Sequence, residues 1–348
     1  MATTLQQLLG LELPIIQAPM AGVQGSALAL AVCKAGALGS LPCAMLGLEA
    51  LHQELSVLRA QTKRPYNVNF FCHTPPQPDE DKDRLWRQTL SPFFAEHQID
   101  VNTPSTGSAR LPFNAEAAAV LESFQPAVVS FHFGLPAPEL LQRVRRWGAK
   151  VLSSATTVEE ALWLQAQGVD AIIAQGLEAG GHRGMFLSND LQTQLGTFAL
   201  LPQIVQAVKV PVIAAGGIAD AQGVAAALAM GAAGVQIGTA YLLCHESSTS
   251  PVHRAALKSP EGRLTALTNV YSGRPARGIV NRLMREIGPL SPAAPPFPLA
   301  SSAVSTLRAK AESEGSGDFS PLWAGQNTSG CKEISATALT RELARAIA

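Results

Sequence analysis

The sequence predicts an α/β fold: a (β/α)8 TIM barrel with a smaller second subdomain over its C-terminal mouth. Two observations carry that expectation. Short apolar runs alternate with helical patterns eight times along the 348 residues, and strand alternating with helix implies parallel pairing through right-handed crossovers. Several runs are continuously apolar or β-branched, as at Val128-Val129 and Val212-Ile-Ala-Ala215. Such runs are buried on both faces, as in parallel sheets. Eight units suit a closed barrel; a doubly wound open sheet is the alternative.

The strands are expected at Pro14–Ala18, Ala37–Leu41, Tyr66–Phe70, Ala127–His132, Lys150–Ser154, Ala171–Gln175, Val212–Ala215 and Gly234–Ile237. Between them, Val158–Gln167 follows the capping pair Thr156-Thr157, and Ala219–Met230 starts near Asp220 and stops at Gly231. Two stretches break the rhythm. Cys72 to Gln125 is too long for one crossover; its Pro-Pro-Gln-Pro-Asp-Glu-Asp-Lys-Asp-Arg reads as a charged surface turn, with helices added outside the barrel. His245 to Gly317 holds a proline-stiffened loop from Ser291 and a helical pattern at Ala303–Glu314. The expected division is a barrel of 1–244 with 318–348 and a subdomain of 245–317, the chain ending in a helix at Ala336–Ala348 capped by Ser335.

Composition excludes several classes of function. Lys and Arg number 26 against 26 Asp and Glu, a net charge of zero, so no basic excess draws in nucleic acid or an anionic membrane. Charged residues at 15% and apolar ones at 47% belong to a chain with a large core, not to a disordered scaffold. The five cysteines are odd in number with none at CxxC spacing, which argues against a disulfide framework or a metal site and for a reducing cytoplasm. The N-terminus lacks the basic and apolar regions of a signal peptide. Ala221 to Cys244 is uncharged and long enough to span a bilayer, but Gly223, Gly231, Gly234 and Gly238 divide it into helix, turn and strand.

In parallel α/β folds the site lies at the C-terminal ends of the strands. Gly216-Gly217 and Gly238-Thr239 follow the last two strands, where exposed backbone N–H groups make a phosphate cradle. Asn69, Gln175 and Gln236 end buried strands, and amides that both donate and accept suit a flat heterocycle with mixed edges, such as an isoalloxazine. His182 sits in Gly180-Gly181-His182-Arg183-Gly184, a loop whose glycines let backbone approach a ligand. Its imidazole suits a general base or an anion holder, and His132, after the fourth strand, faces the same space. His52, His97, His245 and His253 carry no such signal, and His73 is left open. Cys72 offers the one thiol in a rim segment. No Rossmann, P-loop, HExxH or GxSxG motif is present.

With these segments in place, the chain resembles the nitronate monooxygenase family, class I type. The residues that carry the resemblance are Pro14-Ile-Ile-Gln-Ala-Pro-Met-Ala-Gly22, Asn67-Val-Asn-Phe-Phe-Cys-His73, Ser130-Phe-His-Phe-Gly134, Glu178-Ala-Gly-Gly-His-Arg-Gly184, Ala214-Ala-Gly-Gly-Ile218, Gly234-Val-Gln-Ile-Gly-Thr239 and Tyr271-Ser-Gly-Arg-Pro-Ala-Arg-Gly278. The resemblance implies an FMN-bearing barrel that oxidises alkyl nitronates, such as propionate 3-nitronate, with O2 to a carbonyl compound and nitrite or nitrate. It implies FMN contacts from Asn69, Gln175, Gly180 and the adjoining Gly181, Gly216, Gly217, and the run Gln236, Ile237, Gly238 and Thr239. Ala18, Pro19 and Met20 would lie along the isoalloxazine. It makes His182 the catalytic histidine and His132 a second histidine beside the substrate. The family's additional tyrosines have few counterparts here, with only Tyr66, Tyr241 and Tyr271 in the chain. A small-molecule partner, no nucleic acid or membrane, and a monomer or homodimer complete the expectation. The alternatives are an FMN enoyl-thioester reductase driven by NAD(P)H, a flavin-free phosphate-binding isomerase or lyase, and a flavin carrier without turnover.

Overall fold

The computed structural model describes residues 4–101, 103 and 110–347. Its strands are β1 (Ile15–Gln17), β2 (Gly39–Pro42), β3 (Tyr66–Phe71), β4 (Val128–His132), β5 (Lys150–Ala155), β6 (Ala171–Gln175), β7 (Gly181–His182), β8 (Val212–Ala215), β9 (Gly234–Ile237), β10 (Thr265–Thr268) and β11 (Ala276–Ile279). Eight of them pair in parallel in the order β1-β9-β8-β6-β5-β4-β3-β2. A parallel bridge between Ile16 and Leu38 joins the two ends. There the Gln17 N–H donates to the Leu38 carbonyl at 2.9 Å and the Leu38 N–H to the Ile15 carbonyl at 2.9 Å. The sheet is therefore a closed barrel, which removes the open-sheet alternative.

The continuous apolar runs are explained by burial on two sides. Val128 packs inside the barrel with Ile16, Leu38, Leu152, Ile173 and Ile213. Its neighbour Val129 packs outside, in the layer between barrel and helices. A short helix, Leu5–Leu9, closes the N-terminal end by adding Leu5 and Leu9 to the inner cluster. The expected caps are present: Thr157 accepts from Glu160 N–H, Asp220 from Gly223 N–H and Ser335 from Ala338 N–H. The last helix runs Ala336–Leu343 and tightens into a 3-10 turn at Ala344–Ala346; Ala348, expected in it, lies outside the described residues. The uncharged stretch 221–244 becomes helix Ala221–Ala229, strand β9 and a 3-10 turn at Thr239–Leu243. Among the described residues no helix is long and apolar enough to cross a membrane.

A second hydrophobic cluster sits apart from the barrel. Trp86, Leu90, Phe93 and Phe94 of helix Glu80–Glu96 meet Val270, Tyr271, Leu283, Met284 and the inner face of helix Ser301–Ser313. Trp86 Nε1–H donates to the Ala300 carbonyl at 3.1 Å. One expectation needs correction here. The acidic run read as a surface turn is the first turn of that helix, capped by Asp79, where Glu80, Asp81 and Asp83 face the positive end of the helix dipole. The helix itself, in the stretch expected to add helices outside the barrel, buries its apolar face in the second cluster. β10 and β11 pair antiparallel, and β11 pairs antiparallel with β7, which tethers this unit to the barrel rim.

Candidate active site

The C-terminal ends of the barrel strands open into a cavity. Every residue proposed from the sequence lines it: Ala18, Pro19, Met20, Asn69, His132, Gln175, Gly180, Gly181, His182, Gly216, Gly217, Gln236, Ile237, Gly238 and Thr239.

His182 is held rigidly. The glycine-flanked loop expected to be flexible is instead strand β7, with His182 opposite Ala276 and Gly181 opposite Arg277. Arg183 behind it is fully buried and donates to the carbonyls of Gln175 and Gly176, both at 2.7 Å, and to Gln194 Oε1 at 3.0 Å. The His182 carbonyl accepts from Gln175 Nε2 at 3.0 Å and from His132 Nε2 at 3.1 Å. Since a carbonyl only accepts, His132 carries its hydrogen on Nε2, and its Nδ1 accepts from the Ser154 hydroxyl at 3.0 Å. Both ring nitrogens of His132 are thus engaged by protein, and burial lowers its pKa to about 4. His132 positions the His182 loop. Gln175, whose Oε1 also accepts from Gly184 N–H at 2.7 Å, does the same.

The His182 ring has one tether, Nε2 to Ser272 Oγ at 2.8 Å. Ser272 Oγ also lies 3.3 Å from the Arg274 carbonyl and accepts from the Arg274 N–H at 3.4 Å, so the hydroxyl is anchored on that turn and fixes the position of the ring. Nδ1 has no protein partner among the described residues. Phe71, Phe133, Phe297 and Trp323 surround the ring, with centroids 5.2–6.1 Å away. Burial drives its pKa well below the usual histidine value, and Arg110, His132, Arg274 and His73 push the same way. Burial thus favours the neutral imidazole within this aromatic cage, the form a general base needs.

The same cavity also suits a flat, phosphorylated group. Gln236 Oε1 is buried without a hydrogen-bond partner. Asn69 donates through Nδ2 to Ser130 Oγ at 2.9 Å and to the Ser130 carbonyl at 3.2 Å, which leaves its own carbonyl oxygen to the cavity. Gly216 and Gly217 adopt φ of 118° and 72°, conformations that favour glycine. Their N–H groups, with those of Gly238 and Thr239, find no protein partner among the described residues. A segment near the C-terminus crosses over these loops: Gly325 N–H donates to Thr239 Oγ1 (2.9 Å), Gln326 N–H to the Glu178 carbonyl (2.9 Å) and Asn327 Nδ2 to the Gly217 carbonyl (3.0 Å). The crossing is close: a Cβ on Gly180 would stand 2.6 Å from Gly325 N. An orphaned amide oxygen beside unpaired backbone donors fits a flavin ring edge and its phosphate.

Sequence reasoning missed several residues. Ser272 and Ser154 orient the two histidines, and Arg110 and His253 line the cavity. His253 had been set aside, yet it shares the inner face of its helix with buried Leu257, one turn on. His73 is buried against Phe297, ring centroids 4.7 Å apart, with neither nitrogen partnered among the described residues. His52, His97 and His245 do not line the cavity: His52 meets Phe124, His97 meets Phe319 and Glu314, and His245 bonds the Glu333 carbonyl. Cys72 does not line the cavity, and desolvation raises its thiol well above the usual range. Among the described residues no cluster of His, Cys, Asp and Glu could hold a metal ion.

Comparison with known proteins bears on the same site. The sequence profile of the nitronate monooxygenase family matches residues 2–345. A nitronate monooxygenase of Paraburkholderia phytofirmans is 41% identical over 343 residues, 97% of this chain and 93% of the relative. Among solved structures, a nitroalkane oxidase from Streptomyces ansochromogenes superposes with a TM-score of 0.88 at 40% identity, covering 98% of each chain. FabK from Thermotoga maritima is more distant, with a TM-score of 0.75 at 27% identity over 99% of this chain and 96% of its own.

Proposed function

The chain belongs to the nitronate monooxygenase family, and from that premise we propose that it oxidises alkyl nitronates with O2 on an FMN lodged between the Gly216-Gly217 and Gly238-Thr239 loops, with His182 beside the reacting carbon. As a member of that family it is a flavin-dependent oxidoreductase acting on a small molecule. The choice of FMN rests on a single cradle of unpaired N–H groups, which matches one phosphate. In this reading Gln236 Oε1 and the Asn69 carbonyl accept from the ring edge, and Ala18, Pro19 and Met20 flank its face. The bound flavin supplies an electron acceptor; the chain's own residues do the rest. His132, Gln175 and Arg183 fix the loop, Ser272 holds the ring through Nε2, and the four aromatic side chains shield it from water.

The observation that carries the assignment is His182, held neutral by burial in an aromatic cage on the cavity wall, with Nδ1 without a protein partner among the described residues. With a neutral nitroalkane, an unprotonated Nδ1 takes the α-proton and, once protonated, faces the nitronate it has made. A preformed nitronate needs no base, and there the ring holds the anion only as an Nδ1–H donor. The divided architecture fits too: we assign the barrel to the cofactor and the smaller unit, 245–317 joined by helix Glu80–Glu96, to the substrate side. Cytosolic placement follows from five unpaired cysteines, and we expect a monomer or homodimer without nucleic-acid or membrane partners. The test is the visible spectrum of the purified protein, identification of the cofactor it releases, and anaerobic addition of propionate 3-nitronate. Bleaching of a flavin band without NADH is expected, followed in air by O2 uptake and formation of nitrite or nitrate. A colourless protein, or reduction only by NADH, would refute the assignment.

A further inference from the structure

Glu160 lies on the outer helix Val158–Ala166, between β5 and β6, and does not line the cavity. It is 1% exposed, yet its carboxylate takes four hydrogen bonds. Oε2 accepts from the Thr156 N–H at 2.6 Å and from the Thr156 hydroxyl at 2.7 Å. Oε1 accepts from the Phe186 N–H at 2.6 Å and from the Leu187 N–H at 3.2 Å. The first pair serves the helix: Glu160 stands in its first turn and reaches back to the residue before the N-cap Thr157. The second pair does not. Phe186 and Leu187 lie 26 and 27 positions further on, in the chain that leaves His182.

The same carboxylate is joined to Arg183 by two neutral side chains. Thr156 Oγ1 accepts from Gln194 Nε2 at 3.0 Å, and Gln194 Oε1 accepts from Arg183 Nε at 3.0 Å. Glu160 and Arg183 are both buried and opposite in charge, and a fully satisfied network of this kind is rigid. The charge of Glu160 also favours the cationic form of Arg274, whose guanidinium donates to the carbonyl of Met185, one residue before Phe186. Little slack separates Phe186 from His182. A Cβ on Gly184 would stand 2.9 Å from His132 Cε1, and His132 Nε2 bonds the His182 carbonyl. The Phe186 ring packs on Trp163, from the same helix as Glu160, with centroids 5.2 Å apart.

We propose that Glu160 is a positioning residue for the reaction: its carboxylate clamps the chain after His182 to the outer helix, and so sets where the imidazole stands in the cavity. This rests on the role of His182 proposed above and extends it to a residue that touches neither substrate nor cofactor. A helix cap needs one carboxylate oxygen; the other is committed to the active-site chain. Hydrogen bonds to an ionised acceptor are about twice as strong as neutral ones, which suits a clamp.

The experiment uses the flavin-loaded protein as wild type, Glu160→Gln and Thr156→Val. The first variant keeps the shape and removes the charge. The second keeps the charge and cuts the link from Glu160 to Gln194. In protein isotope-labelled at the histidine rings, the His182 signals are identified by their loss in His182→Asn. They should shift or broaden in both variants, while those of His52 and His245, outside the cavity, stay in place. With propionate 3-nitronate, Glu160→Gln should lower kcat about 10-fold, within the range for coupled neighbours, and leave KM within about twofold. In a His182→Asn background the same substitution should cost less than about twofold, since the residue it acts through is gone. Thr156→Val should show the same pattern to a smaller degree, and it decides alone if Glu160→Gln does not fold. Unmoved His182 signals, or equal kinetic losses with and without His182, would reduce Glu160 to a helix cap and overturn the proposal. A wild type that turns over no nitronate refutes the function proposed above, and the ring signals still decide the role of Glu160.

Discussion

Replacing Gly217 with Asp separates the cofactor's hold from the stability of the fold. The position tolerates a side chain sterically: a Cβ there would lie 3.5 Å from Glu178 Cβ and 3.7 Å from its Cγ, ordinary contact distances. The backbone φ of 72° is left-handed, a conformation that costs roughly 1–2 kcal/mol for most residues and least for Asn and Asp. The larger effect is charge. A carboxylate about 4 Å from a phosphate oxygen, at an effective dielectric of about 20, is repelled by about 4 kcal/mol, or on the order of 10³ in affinity. Gly217→Asn keeps the shape and the backbone cost but carries no charge. Both variants should purify folded with similar melting temperatures as apoproteins. Titration of each with FMN, followed by quenching of flavin fluorescence, should show the Asp variant binding about 10³-fold more weakly than the Asn variant. Equal affinities in the two would refute the phosphate cradle at this loop.

Three further outcomes are expected. His182→Asn should lower kcat/KM for a neutral nitroalkane about 10²–10⁴-fold, the range for a positioned base, and for a preformed nitronate only about 10–10²-fold; unchanged nitroalkane kinetics would exclude Nδ1 as the acceptor. Ser272→Ala removes a neutral hydrogen bond of about 0.5–1.5 kcal/mol, so kcat on a nitroalkane should fall about 2–10-fold with KM steady, and a change in KM alone would contradict an orienting role. Burial holds His73, His132 and His253 at pKa values of about 4 in the folded state, below the usual 6.5. The unfolded chain therefore takes up protons between about pH 6.5 and 4 that the folded one refuses, and stability present above pH 6.5 is lost as pH falls toward 4; a urea midpoint that stays flat from pH 7.5 to 4.5 would contradict this.

The barrel was legible because its signal is local. Runs such as Val212–Ala215 are apolar on both faces, and the capping residues Thr157, Asp220 and Ser335 sit next to what they cap. The rim glycines and amides were legible for the same reason, since each directly follows a strand. What escaped depends on distant partners. Strand β7 has two residues, too few for any periodicity, and exists only because Ala276 and Arg277 lie beside it. Ser272 lies 90 positions from the histidine it orients. Gln175 was expected to contact the flavin; it lines the cavity, and its amide serves the His182 and Gly184 backbone. No residue near Gln175 in sequence announces that. Helix Glu80–Glu96 begins in a run of charges, and charge density masked the inward row of Trp86, Leu90, Phe93 and Phe94.

The segment at Gly325–Asn327 bears on how the enzyme is made. The two glycine loops are synthesised well before it, and they can meet a flavin while the rest of the chain is still emerging. The hydrogen bonds from Gly325, Gln326 and Asn327 to Thr239, Glu178 and Gly217 form only when synthesis is nearly complete. Synthesis thus ends with the segment that lies across the two glycine loops.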